Sequence, residues 1–101
     1  MEDLEKRILV KLFQFVDYRW MKNGEKYELS VPSYYIIIEI DFVAKITILY
    51  KNPILKIDEI IYQTTNNRNF SNFITTVLDN FKKRNLKQNT ELIENFLKLK
   101  T

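Results

Sequence analysis

Residues 34–50 read YYIIIEIDFVAKITILY, and the fold turns on how this stretch is read. Tyr34, Ile36, Ile38, Ile40, Phe42, Ala44, Ile46, Ile48 and Tyr50 share one parity. Glu39, Asp41, Lys45 and Thr47 share the other. Alternation with period two is the mark of a β-strand. Seventeen residues in one straight strand would run roughly 56 Å at about 3.3 Å each. A domain of about 100 residues has a radius of gyration of only about 13 Å. Two solutions stand. Either the strand folds back near residues 41–44, or it projects and pairs with a second chain. No glycine or asparagine marks a tight turn there, so the residues do not choose between them.

The polar parity also carries Tyr35, Ile37, Val43 and Leu49. A sheet with one face on a core and the other in water should be polar on that side. Both faces are therefore expected to be at least partly covered. The cover comes from helices or from a second copy in a two-fold dimer.

Outward from this stretch, residues 25–31 alternate weakly through Tyr27, Leu29 and Val31. They read as a short strand that Pro32 ends or places at an edge. Lys51-Asn52-Pro53 is a turn, because proline presets the backbone angle required there. Residues 54–63 read as a further strand with an irregularity at Asp58-Glu59. The polar run TTNNRN, residues 64–69, closes the sheet region.

At the N-terminal end, Leu4, Ile8, Leu9, Leu12, Phe13, Val16 and Trp20 recur at helical spacing. They predict one amphipathic helix over residues 2–22. Glu2, Asp3 and Glu5 suit its first turn, and Gly24 suits its stop. The competing reading is a strand over residues 7–21, with Asn23-Gly24 as a hairpin turn. At the other end, Phe70, Phe73, Ile74, Val77, Leu78 and Phe81 form a helical stripe, capped by Asn69 or Ser71 and stopped at Asn85. A second helix is expected over residues 90–100, with Leu92, Ile93, Phe96 and Leu97 turned inward. The predicted class is α+β in a single domain, residues 1–101. It has an N-terminal helix, an antiparallel sheet of three to four strands and two C-terminal helices packed on the sheet.

The residue inventory excludes several chemistries. The 101-residue chain has no histidine, no cysteine and one glycine. There is no imidazole base, no thiol nucleophile, no thiolate metal site and no glycine loop for phosphates. Glu39 and Asp41 share a strand face and are the one formal choice for a hard cation. They read more simply as solvated residues of a polar face. The expectation is a non-enzymatic protein with no cofactor and no metal.

Thirteen isoleucines, twelve lysines and ten asparagines dominate the sequence. This composition resembles that of small proteins from AT-rich viruses, phages and plasmids, with no motif behind the likeness. It implies an accessory protein of such an element. The acidic start MEDLEKR and the lack of a long apolar run lead to an expectation of no membrane span. They also lead to a cytoplasmic location, in the host if the chain is viral.

Two binding roles are left. The first is a homodimer that binds another macromolecule, a protein partner foremost, through Tyr18, Trp20, Tyr35 and Ile37. The second is nucleic-acid binding. Residues 65–101 carry a net charge of +4, against −2 for residues 25–64 and +1 for residues 1–24. A basic patch attracts phosphate backbones. Asn67, Arg68, Lys82, Lys83, Arg84 and Lys87 would form it.

Overall fold

The computed structural model describes residues 3–100. Helix α1 (Asp3–Phe13) leads into β1 (Met21–Asn23), β2 (Lys26–Val31), β3 (Tyr34–Ile40), β4 (Ala44–Asn52) and β5 (Ile57–Thr65). A 3-10 turn (Arg68–Phe70) then opens α2 (Ser71–Leu97). The α+β class is as expected. The five strands form one antiparallel meander in chain order, one strand more than the sequence reading allowed.

The stretch 34–50 is a hairpin. Tyr34 lies opposite Tyr50 and Ile40 opposite Ala44, so Asp41, Phe42 and Val43 make the turn. None of these three has a positive φ. The turn therefore needs no glycine or asparagine, which is why nothing in the sequence marked it. The other turns carry visible signatures. Gly24 sits at φ +62 between β1 and β2. Before β5, the Asn52 Oδ1 accepts the Ile54 and Leu55 N–H groups at 3.0 and 3.1 Å. The irregularity expected at Asp58-Glu59 lies slightly later. Ile48 pairs Tyr62 while Leu49 pairs Ile60, which leaves Ile61 as the bulged residue.

The long N-terminal helix is corrected to a short one. Its expected start at Glu2 lies outside the described residues, and its end is Phe13 rather than Lys22. Bonds from Gln14, Phe15 and Val16 N–H groups to the Lys11, Leu12 and Phe13 carbonyls tighten the chain into 3-10 geometry. Trp20 then enters the core, with its indole N–H donating to the Phe15 carbonyl at 2.9 Å. Of the competing reading only the turn holds: residues 7–21 are not a strand, but Asn23-Gly24 does open a hairpin, with Asn23 opposite Lys26.

The pair of C-terminal helices is corrected to one. α2 runs 27 residues through Asn85 without a break. Asparagine costs a helix interior only a few tenths of a kcal/mol, and no glycine or proline lies between Ser71 and Leu97. The cap also falls earlier than Asn69 or Ser71. Asn67 caps the 3-10 turn, its side chain accepting from the Asn69 N–H at 3.0 Å.

One sheet face carries the core. Tyr27, Ile38 and Ile46 form one cross-strand row, and Leu29, Ile36 and Ile48 the next. Phe70, Phe73 and Val77 pack over them with Leu12 and Trp20. The aromatic contacts set the angle of approach: Tyr27 meets Phe81 edge-on with centroids 5.2 Å apart, and Phe73 meets Trp20 at 6.1 Å.

Candidate functional site

Twenty-seven residues at about 1.5 Å each make α2 roughly 40 Å long. The longest strands have nine residues and span about 30 Å. The helix therefore outruns the sheet. From Leu86 onward every described residue is exposed. Leu86, Leu92, Ile93, Phe96 and Leu97 are each between 57% and 72% exposed. Ile93 follows Leu86 by two turns, and Phe96 and Leu97 follow a turn later, so these side chains share one broad arc. Sequence reasoning placed Leu92, Ile93, Phe96 and Leu97 inward, and the structure reverses that placement. The readable signal was the unbroken helical composition of residues 85–89, which carries the chain past the sheet.

The outer face of the sheet is the second uncovered surface. Tyr35, Leu49 and Ile60 lie in one cross-strand row, with Ile37 in the next. Among the described residues no helix covers them, although Tyr35, Ile37 and Leu49 are half-buried. Burial, followed by a hydrogen bond with Glu28 and the charges of Glu28 and Asp58, pushes the Tyr35 phenol up to about 12. A phenol raised above its unfolded value of 10.0 stabilises the fold below that pH. The contribution is lost as pH rises from 10 toward 12. In a spectrophotometric titration, one tyrosine should ionise late, and Tyr35→Phe should remove that step. A late step that persists in Tyr35→Phe would refute the assignment.

The interface candidates separate. Tyr18 is half exposed, Tyr35 and Ile37 lie on the outer sheet face, and Trp20 is 1% exposed and belongs to the core. Trp20 therefore offers no surface to a partner.

The basic candidates also separate. Arg84 turns inward: its guanidinium donates to the Trp20 carbonyl at 2.6 Å and the Tyr18 carbonyl at 3.4 Å, and lies 5.3 Å from the Phe81 ring centre. Asn67 is engaged as a cap, and its amide donates to the Glu5 carboxylate at 2.9 Å. Asn69 donates to the same oxygen at 2.9 Å. These bonds, Asn69 first, hold the Glu5 carboxyl below its ordinary range. Arg68 is exposed at the start of the 3-10 turn that precedes α2. Lys82 lies about 16 Å along α2 from Ser71, and Arg68 lies a further 3-10 turn away. Lys82, Lys83 and Lys87 alone form an exposed cluster.

Glu39 forms a surface ion pair with Lys26 at 3.9 Å, and Asp41 sits in the β3–β4 turn. Among the described residues no group of three or more acidic side chains is placed to hold a metal ion. No helix among them is long and apolar enough to cross a membrane.

The fold and its surfaces define an antiparallel meander with helices on one face and a projecting amphipathic helix. Comparison with protein-family models, curated proteins and solved structures finds no match to this chain.

Proposed function

We propose that this chain is a non-enzymatic interaction protein that works as a homodimer, two copies pairing through the projecting half of α2. The observation that carries the reading is the run of large apolar side chains from Leu86 to Leu97, all exposed on one arc. Twelve helical residues without tertiary packing are marginal in water, so this segment gains most from a partner. A second copy is the simplest one, because a two-fold axis lets the same patch satisfy itself.

The apolar patch supplies much of the area that a stable interface needs. Burial of a large apolar side chain is worth about 1.5–3 kcal/mol at about 25 cal/mol per Å², or roughly 60–120 Å² each. Leu99 joins the five helical residues as a sixth exposed side chain. At 57–72% exposure these side chains let two copies bury roughly 450–1,000 Å² of apolar surface, and the polar rim supplies the rest of the roughly 1,200 Å² near which stable interfaces begin. The outer sheet face, with Tyr35 and Ile37, would stay free for another macromolecule.

A second reading, nucleic-acid binding, is favoured by the exposed cluster Lys82, Lys83 and Lys87. It is the weaker one, because Arg84 and Asn67 are already committed within the fold.

Sedimentation equilibrium over a concentration series tests the proposal. The parent should be a dimer and Ile93→Glu a monomer with an equally cooperative unfolding transition, losing at most the helical signal of the unpartnered residues 86–97. The association should change little between roughly 50 and 200 mM salt. A phosphate binder loses orders of magnitude over that range. A parent that stays monomeric at every concentration sinks the proposal. If it also binds DNA or RNA in a salt-dependent way, the second reading takes its place.

A further inference from the structure

Helix α1 is tied down at its two ends and packs Ile8, Leu9 and Leu12 against the core, but it leaves a cleft beside this contact. At its start, Glu5 is held by Asn67 and Asn69, each at 2.9 Å. At its end, Phe13 meets Phe73 edge-on at 5.9 Å. The cleft has a volume of about 280 Å³. Ile8, Leu12 and Phe15 form its roof, and Val31, Ile36, Ile48 and Ile61 its floor. The floor crosses from β2 to β5, three strand spacings or about 14 Å.

The lining is almost wholly apolar, and Lys11 is the one charged residue in it. Its ammonium donates to the Gln14 side chain at 3.3 Å and lies 5.7 Å from the Phe15 ring centre. Among the described residues no carboxylate pairs with it. Arg7, one turn earlier on α1, is exposed. Tyr34 adds a phenol to the lining.

An elongated apolar slot with an unpaired cation matches an elongated apolar ligand with one anionic end. We propose that this cleft binds a free medium-chain fatty acid, its tail along the β2–β5 floor and its carboxylate on the Lys11 ammonium. The tail replaces water over isoleucine and valine, which supplies affinity in proportion to its length. The charge at Lys11 sets its direction. The tethers at both ends of α1 hold the roof in place before the ligand arrives, so binding needs little ordering of the chain. The site does not depend on the pairing of α2.

Isothermal titration with octanoate, decanoate and dodecanoate, each below its micelle concentration, tests this. Binding should saturate at one ligand per chain. It should tighten about fourfold per added methylene until the floor is filled. Decanol, with no charge, should bind more weakly than decanoate. Lys11→Glu replaces attraction by repulsion at an exposed position and should bind decanoate roughly tenfold more weakly. Ile61→Trp places bulk in the slot from a half-exposed floor position and should abolish binding while the melting curve stays cooperative. Absence of saturable binding, affinity indifferent to chain length, or parent-like binding by both variants overturns the proposal. So does uptake by phosphatidylglycerol vesicles with no binding of the free acids, which would make the surface a membrane contact instead.

Discussion

Phe73→Ala should lower the unfolding free energy by about 3–5 kcal/mol, read as a fall in urea midpoint with an unchanged slope. Phe73 is fully buried. Its ring is edge-on to Phe13 at 5.9 Å and to Trp20 at 6.1 Å. It thus joins the end of α1, the residue leading into β1 and the first turn of α2. Removing the ring forfeits its transfer energy and leaves a cavity that three separate elements would have to collapse to fill. A domain of this size has about 5–15 kcal/mol in total. The loss corresponds to a drop in Tm of roughly 12–40 °C. Phe96→Ala is the control. It removes the same ring from the same helix, but at a position that is 68% exposed. In the monomer its cost should stay within about 0.5 kcal/mol. Similar losses in the two variants would mean that the far half of α2 packs on the body of the molecule, contrary to this fold.

The sheet was legible because its rows are written in one residue type. Ile36, Ile38, Ile46 and Ile48 alternate cleanly and fall on the buried face. The hairpin between them was not, because Asp41, Phe42 and Val43 turn the chain without any left-handed residue. Asn23-Gly24 shows the opposite case: the turn chemistry was visible, and the helical periodicity of Leu4 to Trp20 outweighed it. That periodicity was misleading for a tertiary reason. Val16 and Trp20 do pack against the core, but from a turn and a strand lead-in rather than from a helix. The basic cluster divides for a similar reason: Lys82, Lys83 and Lys87 stay exposed while Arg84 turns inward. Arg84 sits in a run of like charge, yet its partners are the carbonyls of Tyr18 and Trp20, more than sixty positions away in sequence. Nothing local announces such a pairing. The projecting helix was hidden by treating Asn85 as a stop, although its propensity is too weak to stop a helix that has no proline or glycine.

Deleting residues 86–101 should abolish self-association while leaving the monomer fold nearly as stable as before. The two halves of α2 differ in what they touch. Phe73, Val77 and Phe81 lie in or against the core, and Arg84 closes the packed half on the Trp20 carbonyl. Past Asn85, the described side chains are all exposed. The helix will refray at its new end, where the last carbonyls lose their partners, but the loss should stay within about 1 kcal/mol, because no buried contact goes with it. Association should fall by far more. If Leu86, Leu92, Ile93, Phe96 and Leu97 bury their surface against a second copy, removing them removes the interface itself. The dissociation constant should then rise more than about a hundredfold, which is about 2.7 kcal/mol. Sedimentation equilibrium and urea unfolding of the shortened chain, done side by side, separate the two effects. A shortened chain that unfolds at much lower urea would place the far helix within the folding core. One that folds normally and still dimerises would move the interface elsewhere, and the bare face bearing Tyr35, Ile37, Leu49 and Ile60 is then the surface to mutate next.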